Sequence, residues 1–247
     1  MDYQLVFRDE AGRELMWADL KGVGGKVNYE IVGGAPIPPE ANRLHQQGRR
    51  FGQEGKYDQA LELFEQAHRL APDWPYPLYD AAFTYLYKGD YERAMEYYAR
   101  VNEMAPRGFF TAQTALDTLQ REQAGIVREG TYRFLAQLEW MPDPAAKREI
   151  LEQILEHTPQ LPMAWQKLAS LLDDDEASLQ AISKGLSYQP DADTRGLLLT
   201  NQALILYRQG KESEAIEILG QLALDPDSTL QTEQAAKFAL ANLLGHD

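Results

Sequence analysis

Nine positions of this chain recur 34 residues further on. Leu44 is matched by Leu78, Gly48 by Ala82, Phe51 by Tyr85 and Gly55 by Gly89. Tyr57 is matched by Tyr91, Ala60 by Ala94, Phe64 by Tyr98, Ala67 by Val101 and Pro72 by Pro106. A fixed period of this length marks one supersecondary unit copied along the chain, each copy burying its apolar face against its neighbours. A fold built around one central parallel sheet is not compatible with it.

Each unit reads as two helices. The first, near 40–53 and 75–88, sets apolar or small residues such as Leu44, Gly48 and Phe51 at i, i+4 and i+7. Gly55 and Gly89 follow where a helix end favours a left-handed residue. The second helix, near 57–70 and 91–104, aligns Ala60, Phe64 and Ala67 on one stripe before Pro72 or Pro106 stops it. Small residues on both helices let their axes approach, and Phe64 or Tyr98 fills the space beside them.

This helix–turn–helix of 34 residues, with its small, aromatic and proline positions, resembles the tetratricopeptide repeat family. The likeness is tight over 41–108 and returns at Leu199, Ala203, Leu206, Gly210, Ala215 and Leu219, with Pro226 one residue early. Another unit begins at Trp165, Ala169 and Leu172 and ends with Ser178, Ile182 and Pro190. Its turn, Asp173–Asp174–Asp175, supplies caps for the helix that follows. The resemblance implies a mainly α fold, a right-handed superhelical solenoid of about five helix pairs with a small N-terminal β element.

Three regions follow. Residues 1–39 are a β segment and linker: YQLVFR (3–8) and KVNYEIV (26–32) alternate as strands, ELMWADLKG between them suits a strand or a short helix, and GGAPIPP (33–39) is the boundary. Residues 40–227 are the solenoid, regular at 41–108, irregular at 109–161 and regular again at 162–227. Residues 228–247 are a capping helix with Leu230, Ala235, Phe238 and Leu243 inward. Within the irregular stretch, 109–124 is one amphipathic helix, and helices near 131–140 and 144–158 fit a degenerate repeat with Phe134, Leu138, Leu151 and Ile154 as core. The helix 109–124 is then either an inserted half-repeat or the start of a shifted frame.

Chemistry-bearing motifs fail on inspection. The GVGGK run at 22–26 lacks the first glycine of a phosphate loop, which would stand at Leu20, and Val27 replaces the Ser or Thr that holds magnesium. It reads as a turn. Without cysteine there is neither a disulfide framework nor thiol chemistry, and His45, His68, His157 and His246 are too scattered for a local metal motif. The acids at 173–176 lack the spacing of a calcium loop. The expectation is a noncatalytic protein with no metal and no cofactor.

The formal net charge is −14, and residues 162–247 hold 13 acidic against 6 basic residues. That balance disfavours nucleic acid and anionic membrane and favours a protein or peptide partner, basic if charge selects it. No apolar stretch approaches the roughly 18 residues of a spanning helix, and the N-terminus lacks a signal-peptide layout, so the expected location is cytoplasmic.

The resemblance also implies where a partner binds, on the concave face lined by first helices. In the second repeat that face holds Tyr76, Tyr79, Asp80, Phe83 and Tyr87. In the first it holds Asn42, His45, Gln46 and Arg49, and near the C-terminus Asn201, Leu204 and Arg208. The aromatic set has two readings: anchors for a partner, or packing against 109–124 and the β segment. The family's chaperone-tail adaptors grip a peptide carboxylate with lysine and asparagine; His45, Arg49 and Asp80 stand in the matching places here, and an aspartate repels a carboxylate. The implied role is an interaction scaffold; the alternative is a structural subunit, self-associating as a homo-oligomer or fixed in a larger assembly.

Overall fold

The computed structural model describes residues 3–8, 14–15 and 28–244. Strands β1 (Tyr3–Arg8), β2 (Glu14–Leu15) and β3 (Asn28–Gly33) form an antiparallel sheet of order β2-β1-β3, with Leu5 opposite Ile31. The turn at 22–26, residues 16–22 of ELMWADLKG and His246 lie outside the described residues. Two helix pairs follow: α1 (Pro39–Gln53) with α2 (Tyr57–Leu70), and α3 (Tyr76–Lys88) with α4 (Tyr91–Met104). Next come α5 (Ala112–Gln123), α6 (Thr131–Leu138), α7 (Pro144–His157), α8 (Pro162–Ala169) and α9 (Asp175–Ser187). The chain finishes with α10 (Ala192–Arg208), α11 (Glu212–Leu224) and α12 (Leu230–Leu244). The fold is mainly α with a small N-terminal sheet.

The repeated positions on the facing helix stripes are mostly buried, while the turn glycines and the prolines that follow are exposed. Ala60, Ala67, Ala82, Ala94, Tyr98 and Val101 have essentially no exposed surface. At the first crossing, a Cβ on Gly48 would stand 2.7 Å from the Phe64 ring and 3.3 Å from the Ala60 carbonyl oxygen, so the two axes meet at their closest there. Gly89 ends α3 in the left-handed conformation at φ 84°, where a side chain would be strained. Asp174 caps α9, accepting from the Ala177 amide at 2.7 Å.

The irregular stretch resolves differently from the sequence expectation. The turn Phe109–Phe110 is an elbow, with Phe110 at φ 48°, so the helix begins only at Ala112. Glu122 on α5 accepts from the amides of Gly130 at 2.8 Å and Tyr132 at 2.6 Å, capping α6 from outside. Thus α6 turns back onto α5 as a third pair, while α7 packs on α8, which itself pairs with α9. The expected pairing of 131–140 with 144–158 is therefore corrected. Phe134 is corrected with it: on a two-turn helix docked through Tyr132, Leu135 and Leu138, it points outward and is 45% exposed.

The C-terminal end returns to the middle of the chain. The Leu230 amide donates to the Arg107 carbonyl at 2.7 Å, and the Arg107 guanidinium bonds the Ser228 carbonyl and pairs with Glu233. Thr114 on α5 donates to Asp191 at 3.0 Å, and Arg121 reaches the carbonyls of Tyr188 and Gln189. Gly108, at φ 88°, lies in this seam; a Cβ there would be 3.2 Å from Thr229 and 3.4 Å from Asp193. Asp193 is 4% exposed and its Oδ2 accepts no hydrogen bond. Burial pushes its carboxyl up to about 7, opposed by the Thr229 hydroxyl beside it and helped by the charge of Asp191.

Replacing Ala60 or Ala94 with Leu should overpack its crossing and cost about 1–3 kcal/mol. Gly196→Ala should sit at or beyond the top of that range, because its Cβ would land 1.9 Å from the buried Thr232 hydroxyl. Urea unfolding checks both; midpoints equal to wild type would mean the helices do not cross at these residues.

Candidate partner-binding groove

The concave aromatic set divides in two. Tyr76 and Tyr79 are taken up within the chain. The Tyr76 hydroxyl accepts from the Ile31 amide of β3 at 3.2 Å, and its ring meets Phe109 edge-on at 4.9 Å. Tyr3 of β1 donates to the Asp73 carbonyl at 2.8 Å, tying the sheet down on the same surface. The Tyr79 hydroxyl lies 2.9 Å from that of Thr111, with its ring against Tyr98, Phe109 and Phe110. Burial raises its phenol to about 12, despite the Thr111 bond. The β segment and the elbow together fill this half of the concave face.

Phe83 and Tyr87 lie one turn further along α3, beyond the sheet. Their rings meet at 4.7 Å, tilted 44° to each other, and line a cavity of about 450 Å³. Arg49, Gly52 and Gln53 of α1, Tyr57 of α2 and Asp80 of α3 form the rest of the near wall. Trp140, in the turn after α6, closes the far side while remaining 79% exposed. Burial raises the Tyr87 phenol, and the Arg133 charge on α6 acts against it. The cavity thus offers aromatic walls, one carboxylate and one guanidinium. Such surfaces give a binding segment apolar contact area at little rotamer cost.

The remaining candidate residues fall in distinct places. His45 is 1% exposed, enclosed by Phe64, Trp74 and Tyr76, and its Nε2 stands 2.7 Å from Asp80 Oδ2. It holds Asp80 in place, and with Asn42, Gln46 and Arg49 it borders a second cavity of about 270 Å³ beside Trp74 and Tyr76. Arg49 approaches the same carboxylate oxygen at 3.5 Å and stays half exposed. Asn201 and Arg208 do not line this cavity, and Arg208 pairs with Asp175 across α9 and α10. Trp140 and Arg133 were not singled out from the sequence, since one sits in a turn and the other on a helix of eight residues, where periodicity says little. Among the described residues, no group of three or more His, Asp or Glu stands where it could hold a metal ion. No helix described is long and apolar enough to cross a membrane.

Comparison with known proteins agrees with the repeat. Residues 53–123 match the tetratricopeptide repeat family model. Among solved structures, the chain is similar to MamA (41 to the end) from Desulfovibrio magneticus RS-1, at 16% identity over 82% of this chain and 99% of that one, with a TM-score of 0.37. It is also similar to TTC0263, a thermophilic tetratricopeptide repeat protein of Thermus thermophilus, at 18% identity over 81% and 98% of the two chains, TM-score 0.33. A third is YrrB, described as a tetratricopeptide repeat protein with an unusual peptide-binding site, at 15% identity over 82% and 91%, TM-score 0.33. Overlap this slight says nothing about how the repeats are arranged here. The matched segment, running from the end of α1 to the end of α5, carries the 34-residue pattern and is similar to the tetratricopeptide repeat over those residues.

Proposed function

We propose that this protein is a noncatalytic interaction scaffold, and that it holds a segment of a partner protein in the notch between α1, α3 and the Trp140 turn. The observation that carries the reading is the open, aromatic-walled cavity of about 450 Å³ lined by Phe83, Tyr87, Tyr57 and Trp140. A largely exposed tryptophan facing an aromatic pair is apolar surface that burial against a partner would stabilise, at about 25 cal/mol per Å² removed from water. Asp80 and Arg49 supply the polar groups that fix orientation. An acidic chain of net charge −14 favours a basic partner through its long-range field. The reading assigns no cofactor, metal or nucleic acid, and the cytoplasm is the compartment it proposes.

The second reading is self-association, or a fixed place in an assembly, through the C-terminal end. Leu224 at 83% exposure and Leu244 at 60% are the observation in its favour. If that end is an interface, mass measured over a hundredfold concentration range should rise for wild type and stay monomeric for Leu224→Glu. A constant monomeric mass removes this reading.

A photo-crosslinking side chain at position 83 or 140, introduced in the native cell, should label one dominant partner, and the same group at exposed position 224 should not. Phe83→Ala with Trp140→Ala should lower capture of that partner at least tenfold with little change in melting temperature, because both rings border the open cavity. Tyr79→Ala should behave oppositely, costing about 3–5 kcal/mol of stability through loss of its contacts with Tyr98, Phe109 and Phe110. Undiminished capture by the Phe83/Trp140 double variant would remove the site from this notch.

A further inference from the structure

Three apolar cores follow one another along the chain, the first two meeting at α8, where Trp165 on it and Leu172 just after it pack against both, so that α10–α12 can swing only about that helix. One runs from Ile31 to Leu168, one surrounds Ala181, Ile182 and Leu198, and one surrounds Ala203, Ala215, Leu219 and Ala236. Where the last helices return to the segment 107–121, the joint is made largely of polar contacts, and Leu230 is the one residue of α12 counted within the first core. Such a joint can part while leaving each core intact.

Its centre is a carboxyl group with an unmet hydrogen-bonding oxygen. Facing Asp193 are the Asp191 carboxylate from its own helix start, the Tyr29 phenol from β3, the Thr229 hydroxyl from the turn before α12, and the Gly108 backbone. The cations of the joint are engaged elsewhere. Arg107 pairs with Glu233 and the Ser228 carbonyl, and Arg121 pairs with Asp117 and the carbonyls of 188 and 189. Among the described residues, no cation pairs with Asp193, so its ionised form adds a second negative charge beside Asp191 in a largely buried place.

We propose that this seam is a proton-operated clasp, closed while the Asp193 carboxyl carries its proton and loosened when that proton leaves, so that α10–α12 move away from the 107–121 segment. The closed seam binds the proton more tightly than the open one, in which the carboxyl is hydrated and has an ordinary affinity. Closure is thus favoured at low pH and weakens by up to about tenfold per unit as pH rises from the usual carboxylate range, with no further loss above the closed-state value of about 7. Asp193 and Thr194 also line a cavity of about 290 Å³ shared with Phe110, Gln231, Glu139, Lys147 and Lys167. There Lys167 pairs with Glu139 and Lys147 donates to the Glu139 carbonyl; the cavity gives solvent a route to the carboxylate as the seam parts.

The chain has no cysteine, so a pair can be introduced cleanly at Gln120 and Arg195, exposed positions on either side of the seam. Spin labels there should give one short distance at pH 5.5 and a longer, broader distribution at pH 8.5, with far-UV circular dichroism unchanged. Asp193→Asn, which cannot ionise, should keep the short distance at both. Asp191→Asn, which removes the neighbouring charge and can still cap α10, should leave the seam more closed at pH 8.5 than in wild type, because an ionised Asp193 is then better tolerated there. A distance constant from pH 5.5 to 8.5, or an Asp193→Asn chain that opens as wild type does, overturns the proposal. Should Asp193→Asn fail to fold, the carbon-13 titration of the Asp193 carboxyl in the wild-type chain decides: an ordinary carboxylate midpoint near 4 overturns it, and one near 7 that tracks the distance change supports it.

Discussion

Two helices can lie against each other only as closely as the side chains between them allow, and Gly48 over Ala60 leaves almost nothing between α1 and α2. That close approach sets the rest of the repeat. It brings Phe64 across the Gly48 backbone and closes the first pair tightly enough for α3 to stack on α2. Ala82 and Ala94 repeat the contact one unit later, with Tyr98 in place of Phe64. A repeat built this way has no interior of its own; its apolar faces are buried only by neighbours, so each end of the stack needs something to cover it.

The covering elements are where sequence and structure part. Ala60, Ala94, Tyr98 and Ala203 were legible because their contacts lie within one or two turns of helix or one repeat away, and periodicity records local geometry. The sheet on Tyr76 and the seam at Arg107 join residues 45 and more than 100 positions apart, and no spacing rule encodes such pairs. The irregular stretch shows the same limit at short range. Phe134 has the spacing of a core residue, but on an eight-residue helix the stripe is too short to say which face is inward, and Glu122 settles it by capping α6 from α5. The spacing sets His45 on the face of its helix that looks towards α3, but only Trp74 and Tyr76, from outside that helix, decide how much of it is open.

What the concave face retains for a partner follows from what the chain has already placed on it. The β segment and the Phe109–Phe110 elbow consume Tyr76 and Tyr79, and Phe110 accepts a left-handed backbone, at about 1–2 kcal/mol, to make that contact. A non-glycine residue is held so only where surrounding contacts outweigh the strain. The aromatic cluster of Tyr29, Tyr76, Tyr79 and Phe109 supplies them. In the reading proposed above, a partner would use the notch at Phe83, Tyr87 and Trp140, a region narrower than the whole concave surface that the bare repeat would offer.

Charge needs the same structural correction. A count of −14 treats every acid as ionised and solvent-facing, and residues 162–247 dominate it. Yet Asp193, in that segment, is buried with its carboxyl raised to about 7, and burial raises Asp191 as well. Both carboxyls are thereby held towards their protonated forms, so part of the apparent acidity of the C-terminal third is an internal property of the seam. The field available to attract a basic partner comes instead from the acids that remain outside, such as Glu212, Glu214, Glu217, Asp225 and Asp227 on and after α11. Those lie at the end that also exposes Leu224 and do not line the aromatic notch, so in the proposed reading long-range attraction and apolar anchoring would act on different parts of an incoming chain.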